Sequence, residues 1–374
     1  MVRRLADRSI AVVGGGVIGL SIARHALANG ARVTVYDRAR CGSGASAAAS
    51  GIVTLGLRGR SALRRLKRAG YESWERWLDE WRERGQSSIG VRRRSVRLFD
   101  EPPADLERRI ESWTNAGHEV ATLTPTEVVA SVPGLDSASF SLGLAIDREL
   151  ILDPVRVLEQ LRQDIVDGGG VIEEDAAVTI EPRGPSEIVC LRDGIEVAET
   201  ADLCVLAAGW GSAPALAPLA PSVALAPVGG CGLLLEEETS PWSVHFGEKG
   251  RFHWLPRNEG VVYLGSTVRE EGETGEGGSS DRESLIDAAI PFFPRVAERP
   301  VVRLDDGLRP KALRRGGPFL GAYPGRPRLQ LATGHYRVGL ATAAATAEML
   351  VDAWAGGAPI EEELSAARIL PDAE

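Results

Sequence analysis

Lysine is nearly absent from this chain. Lys67, Lys249 and Lys311 are the only three in 374 residues, and arginine supplies the rest of the basic content. That bias is one of a GC-rich coding sequence and excludes no function. The other scarcities exclude more. Acidic residues outnumber basic ones, 52 against 43, and the formal net charge of −9 argues against general binding to nucleic acid or an anionic membrane. The four cysteines, Cys41, Cys190, Cys204 and Cys231, have neither a C-x-x-C nor a paired spacing. They predict reduced, buried residues of a cytoplasmic protein and not a disulfide scaffold. The five histidines, His25, His118, His245, His253 and His335, make no zinc pattern, so no metal is expected. No apolar run is long enough to span a membrane. The apolar run behind Val2-Arg3-Arg4 flows directly into a glycine motif, so it reads as the first strand of the fold and not as a signal peptide.

What is present is the composition of an ordinary globular protein, 44% apolar and 25% charged, with length enough for two domains. The chain is organised around Ser9–Arg38. Ile10 to Val13 reads as a buried parallel strand that meets glycines at 14, 16 and 19, the G-x-G-x-x-G spacing. A helical pattern follows, with Ile18, Ile22, Ala26 and Leu27 on one face and Gly30 as its stop, and then a second strand, Val33 to Tyr36, ends on Asp37. In such a unit Gly14 permits the tight turn, Gly16 lets the backbone approach a pyrophosphate, and Gly19 lets the helix pack on the strand. The helix N-terminus offers free N–H groups to phosphate, and Asp37 stands at the spacing of an acid that accepts from an adenosine ribose. Asp37 would repel a 2′-phosphate, although Arg38 lies beside it.

Beyond this unit, residues 41–53 are almost all small, which suits a backbone lying along a flat ligand, with Ser43 and Ser46 hydroxyls available. Leu63, Leu66, Gly70, Trp74, Trp77, Leu78 and Trp81 fall at helical spacing and predict an amphipathic helix from about Ser61 to Arg84, its tryptophans in the core. Residues 89–140 read as an insertion, with a strand at Ser95–Phe99, a helix around Asp105–Ala116 and a capped turn at Thr124-Pro125. Arg92-Arg93-Arg94 suits either an anionic substrate or solvent. Asp153-Pro154 starts a helix that stops at Gly168. Short strands at Val171-Ile172, Ala177–Ile180, Glu187–Leu191 and Glu196–Glu199 suggest a meander. The buried strand Leu203–Ala207 then brings Ala208 and Gly209 beside the first glycine loop. Four antiparallel strands follow (Gly229–Leu235, Ser243–Phe246, Arg251–Leu255, Val261–Ser266), with a turn at Arg257–Gly260. Residues 269–283 read as an acidic solvated loop or a lid. The end of the chain carries Gly-Leu-Arg-Pro (307–310), a strand Leu329–Ala332, Thr-Gly-His-Tyr-Arg-Val-Gly-Leu (333–340) and a helix from about Ala341 to Trp354.

These pieces together resemble the D-amino-acid oxidase superfamily of FAD enzymes, and within it glycine oxidase. The likeness rests on Gly-Gly-Gly-Val-Ile-Gly (14–19), Ala-Ser-Ala-Ala-Ala-Ser-Gly-Ile-Val (45–53), Gly-Leu-Arg-Pro (307–310) and Leu-Ala-Thr-Gly-His-Tyr-Arg-Val-Gly (331–339). The resemblance implies an α/β fold: a Rossmann-like FAD-binding domain of the glutathione-reductase type, from residues 1–88, 141–220 and 306–374, and an α+β substrate domain with a mostly antiparallel sheet, from 89–140 and 221–305. It implies non-covalent FAD, since no cysteine follows Arg309. By motif match, Gly14, Gly16, Val17, Ile18, Gly19, Asp37 and Arg38 would hold the ADP half. Ser46, Ala47, Gly51 and Ile52 would lie along the flavin, Val178 would meet the adenine, and Ala208 and Gly209 would close the cradle. The loop Gly334, His335, Tyr336, Arg337, Val338, Gly339 and Leu340 would bring a helix N-terminus to the flavin pyrimidine edge.

The implied activity is oxidation of a small amino acid or related amine by hydride transfer to flavin N5, with dioxygen reduced to hydrogen peroxide. The alternative is a dehydrogenase of a 2-hydroxy acid or amine that passes electrons to a carrier. Arg309 is the expected partner of the substrate carboxylate, and Arg337 could reach carboxylate or flavin. His253 stands where glycine oxidases carry a tyrosine, Arg251 where they carry a histidine, and Val268 where they carry a methionine. Extra cations at 251 and 253 would suit a larger or more acidic substrate. A homo-oligomer is compatible with all of this.

Overall fold

The doubly buried strand Ser9–Val13 has parallel neighbours on both sides, Arg32–Tyr36 and Leu203–Leu206, with Val12 level with Val35 and Val205. The computed structural model describes residues 4–182, 188–192, 195–196, 201–237, 242–247, 251–257, 260–269 and 277–370. Within it, six strands run in the order Phe319–Tyr323, Arg326–Thr333, Leu203–Leu206, Ser9–Val13, Arg32–Tyr36, Val171–Glu173, and all but the first are parallel. Strand order reverses beside Ser9–Val13, which makes the crevice outside its C-terminal end the natural ligand site of an open parallel sheet.

One face of this sheet is covered by the helices Val17–Ala28, Pro154–Asp167, Ala62–Glu83 and Gly339–Trp354. The tryptophan stripe is core, as its spacing predicts: Trp74 and Trp81 are fully buried. Gly70 lets the long helix cross close, since a Cβ there would stand 2.1 Å from the Ala341 carbonyl oxygen. The other face is covered by an antiparallel meander of Val178–Pro182, Ile188–Arg192 and Ile195–Glu196. The strand at 171 is not part of that meander. The helix before it is a crossover, which delivers Val171–Glu173 to the edge of the parallel sheet beside Arg32–Tyr36. Positions 187 and 197–199 of the expected meander lie outside the described residues.

The second sheet has nine strands. Its main path runs Val301–Ala312, Leu225–Glu236, Val261–Gly265, Phe252–Pro256, Trp242–Phe246, Gly90–Phe99, Leu142–Leu152, Ile52–Thr54, and Val120–Leu123 also pairs with Leu142–Leu152. Pairing is antiparallel except between Trp242–Phe246 and Gly90–Phe99. Thus Ile52–Thr54, Leu142–Leu152 and the segment 306–312 are strands of this sheet, although the expected division of the chain puts them with the cofactor half. One face is apolar: Val96, Val244, Phe246, Trp254, Leu264, Leu233 and Leu235 pack on the helix Ser279–Ala289 and on Phe293. That helix occupies the end of the expected loop 269–283, and residues 270–276 lie outside the described set, as do 258 and 259 of the expected turn. By the two-residue alternation of strands, the opposite face carries Arg97, His245, His253, Tyr263, Arg309 and Glu149. This polar face is turned toward the parallel sheet, because the strand Val301–Ala312 meets the turns Gly209–Gly211 and Tyr336–Val338.

Candidate active site

The first glycine loop is built by backbone contacts. Gly14 has φ 110° and its N–H donates to the Tyr36 carbonyl. A Cβ on Gly14 would meet the Ala207 carbonyl oxygen at 2.5 Å, and one on Gly19 would meet that of Gly14 at 1.9 Å. Gly16 differs: the only neighbour a Cβ would meet is the Ser46 hydroxyl at 3.1 Å, a tight contact that a small shift of that side chain relieves, with no backbone in the way. The bareness of Gly16 leaves room for a ligand. Helix Val17–Ala28 gets no cap from Gly16, and the Ser46 hydroxyl instead accepts from the Val17 N–H at 3.0 Å. Half-buried Asp37 accepts from Gly15 N–H at 2.7 Å and from Ala39 N–H at 2.9 Å, which fixes its carboxylate at the strand end with acceptor capacity to spare. Arg38 is exposed beside it, and Ile18 packs on the helix core. This open glycine, the helix N-terminus behind it and the oriented acid fit the adenosine diphosphate half of FAD.

The small-residue stretch is gripped from both sheets. Gly307 lies so close to it that a Cβ would stand 2.7 Å from Ala45 Cα, and Gly51 (φ 91°) abuts the Leu152 carbonyl. Arg257 donates to the carbonyls of Ala49, Ser50 and Leu152, at 3.2, 2.8 and 3.4 Å. Sequence reasoning missed this clamp and read Arg257 as the start of a turn. Ala47 and Ile52 are half-buried along the same stretch, and Val178 packs against the core that holds Val13 and Ala208. Gly209 (φ 57°) presents its carbonyl to the Thr333 hydroxyl at 3.0 Å.

At the far loop, Gly334 and Tyr336 both adopt positive φ, 82° and 52°. The helix Gly339–Trp354 starts on Val338 with no side-chain cap, and the Trp74 indole N–H holds the Leu340 carbonyl at 2.8 Å. The His335 ring points inward to the Thr346 hydroxyl at 3.2 Å, and burial pushes its pKa down to about 3. Its side chain is therefore structural. Arg337 is exposed.

Arg309 is half-buried, and its Nη1 donates to the carbonyls of Gly229 and Thr267 at 3.2 and 3.4 Å. Gly230 has no Cβ because that atom would lie 2.1 Å from this guanidinium nitrogen. Among the described residues no carboxylate pairs with Arg309 or Arg337. Burial pulls the Arg309 pKa down, and Tyr263, Arg337 and Tyr336 are near enough to act on it electrostatically. His253 joins them: it is held well below its ordinary pKa, first by burial and then by His245, and it also feels Arg337. It is a neutral imidazole and not the extra cation expected at 253. Arg251 is exposed and stacks over Phe252 at 5.5 Å, with no described contact to the group. Of Arg92-Arg93-Arg94, Arg92 pairs with Glu75 and Arg94 lies over Trp242. His245 and Glu149 stand behind His253, and no local sequence signal pointed to either of them.

Comparison with known proteins agrees with this arrangement. The chain is 30% identical to the glycine oxidase of Pseudomonas aeruginosa, over 94% of this chain and 96% of that protein. In three dimensions it is similar to the glycine oxidase of Geobacillus kaustophilus, with a TM-score of 0.86, 24% identity and coverage of 97% and 100% of the two chains. It also superimposes on the iminodiacetate oxidase of Chelativorans sp. BNC1, with a TM-score of 0.84, 21% identity and coverage of 95% and 98%. The DAO family, described as FAD dependent oxidoreductase, matches residues 9–353. The chain is a member of that family, an FAD-dependent oxidoreductase built on the α/β cofactor fold with a second, mostly antiparallel sheet.

Proposed function

We propose that the protein oxidises a small amino acid or related amine, with its carboxylate held by Arg309. The observation that carries this is the Arg309 guanidinium itself. It is half-buried, aimed by two backbone carbonyls, and left without a carboxylate partner among the described residues. Such a fork is suited to a carboxylate. Arg337 supplies a second cation near Arg309. The ADP half of the cofactor is read onto Gly14, Gly16, Gly19 and Asp37, and the flavin onto Ser46 to Ile52 and the backbone of 334–340. Held there non-covalently, FAD would supply the two-electron chemistry, acceptance from the amine-bearing carbon and delivery to dioxygen as hydrogen peroxide. The protein's own contribution is orientation: Arg309 fixes the carboxylate, and the C–H is thereby held against the cofactor. Buried free thiols at Cys41 and Cys231 suit work in the cytoplasm.

The test is anaerobic mixing of the yellow holoprotein with D-, L- and N-methyl amino acids while flavin absorbance is followed. Arg309→Ala is expected to weaken the bleaching substrate at least about 30-fold, the loss of a desolvated charge pair worth about 2 kcal/mol, with the flavin spectrum unchanged. An unchanged apparent affinity overturns the carboxylate role. Rapid electron transfer to a dye with no peroxide in air would instead favour the dehydrogenase reading.

A further inference from the structure

Three side chains on the polar face of the nine-stranded sheet form a hydrogen-bonded file that carboxylate binding leaves unused. Glu149 is fully buried and accepts from the Thr54 hydroxyl at 2.8 Å through Oε1. Its Oε2 lies 2.9 Å from His245 Nε2, and His245 Nδ1 lies 2.8 Å from His253 Nδ1. His245 is 1% exposed, whereas His253 is half-buried at the end of the file nearest Arg337. The hydrogens follow from chemistry. A carboxylate only accepts, so His245 donates its Nε2–H to Glu149. A neutral His245 then has a bare Nδ1, so His253 must donate its Nδ1–H across the 2.8 Å contact. That leaves Nε2 of His253 as a bare lone pair, with no partner among the described residues.

We propose that Glu149, His245 and His253 form a proton relay that deprotonates the substrate ammonium group. The proposal rests on the amine-oxidation reading of the same site. An amino acid reaches neutral water as an ammonium, whose nitrogen has no lone pair to support departure of hydride from the neighbouring carbon. In the relay, one ammonium N–H bond breaks as an N–H bond forms at His253 Nε2. The His253 Nδ1–H bond breaks as one forms at His245 Nδ1. No electrons change hands, the amine becomes neutral, and the charge comes to rest on His245 against the Glu149 carboxylate. Burial alone would raise the Glu149 pKa, but the hydrogen bonds from His245 and Thr54 and the Arg97 charge oppose it and the carboxyl is held below its ordinary value, so the anion is present throughout the working range. The weak basicity of His253 suits a group that passes a proton on and does not keep it. The other charged groups facing the file are cations: Arg97, level with His245; Arg93, level with Glu149, both on Gly90–Phe99; and Arg337 beyond His253. Lys67 stands behind Arg97. Glu149 is the charge that makes room for the incoming proton.

Glu149→Gln keeps the size of the side chain and removes that charge. In the anaerobic holoenzyme, the pH of half-maximal flavin bleaching is expected to rise by about two units, with the rate at pH 7 falling about 100-fold, the scale of a general base, and converging on wild type where the free amine predominates. A variant slowed equally at every pH would show a structural role and overturn the relay. A second reading needs no turnover: nitrogen-15 histidine spectra of the wild-type holoprotein should show His253 protonated at Nδ1 and bare at Nε2. A protonated Nε2 at neutral pH overturns the relay even if the variant does not fold. A wild-type enzyme that no amine bleaches overturns the functional reading itself, whereas a bleached wild type with an unshifted variant overturns the relay alone.

Discussion

A Cβ on Gly14 would collide with the Ala207 carbonyl at 2.5 Å, and one on Gly19 with that of Gly14 at 1.9 Å, while one on Gly16 would meet only a hydroxyl at 3.1 Å. One motif therefore holds glycines kept for different reasons. Gly14 and Gly19 are required by the fold, and Gly16 is the glycine assigned to the proposed cofactor site. Gly14→Ala adds a positive-φ penalty of about 1 kcal/mol or more to its backbone clash and is expected to abolish soluble folded protein. Gly16→Ala is expected to fold, with far-UV circular dichroism and apo-protein Tm close to wild type, but to lose FAD during purification. A Gly16→Ala protein that retains stoichiometric flavin would remove Gly16 from the cofactor site. At this scale the sequence is informative, because the glycine spacing encodes backbone geometry directly. It is silent about Glu149 and His245, since the contact Glu149 makes with His245 spans 96 residues and no local pattern announces it.

At the scale of elements, the helix Ala62–Glu83 links core packing to the far loop. Trp74 is 0% exposed, and its indole N–H caps the Leu340 carbonyl in the first turn of Gly339–Trp354. Trp74→Phe keeps most of the buried ring but removes this second hydrogen bond to a carbonyl that the helix already pairs with the N–H four residues on, at a cost of about 0.5–1.5 kcal/mol. Urea unfolding should show that loss, and flavin affinity should fall with it, because the loop 334–340 loses its anchor. A stability change with untouched flavin binding would mean that the helix and loop are independent. The helix itself was legible from seven apolar or small positions at a 3.6-residue period, and Ser61 caps it where expected. The strand Leu142–Leu152 was not legible. Its run Leu-Gly-Leu-Ala-Ile-Asp-Arg-Glu-Leu-Ile-Leu does not alternate, because it is buried on both sides for much of its length and carries a register shift against Gly90–Phe99. The strand at Val171–Glu173 was visible as a strand, but its partner was not, since pairing depends on where the preceding crossover helix lands.

Over the whole molecule, four histidines are held below their ordinary pKa, in each case first by burial: His25, His118, His253 and His335. They lie in both halves of the fold, in the helical layer, beside the insertion, on the polar face and under the far loop. Each is neutral when folded and free to take a proton near pH 6.5 once unfolded. Below that pH the unfolded chain binds more protons, so the stabilisation present above pH 6.5 is lost as pH falls toward the folded values. For His335, whose folded value is about 3, the loss reaches about 1.4 kcal/mol per pH unit. Carboxylates with unfolded values near 4 contribute little between pH 6.5 and 5.5, so that window isolates the histidines. The urea midpoint is expected to be flat from pH 8 to 7 and to drop steadily from 6.5 to 5.5. His335→Gln should reduce the slope by one group's share, whatever it does to the midpoint at pH 8. A midpoint that holds steady down to pH 5.5 would mean that these rings are protonated in the folded protein, and the neutral His253 required at the head of the proton relay would be lost with them.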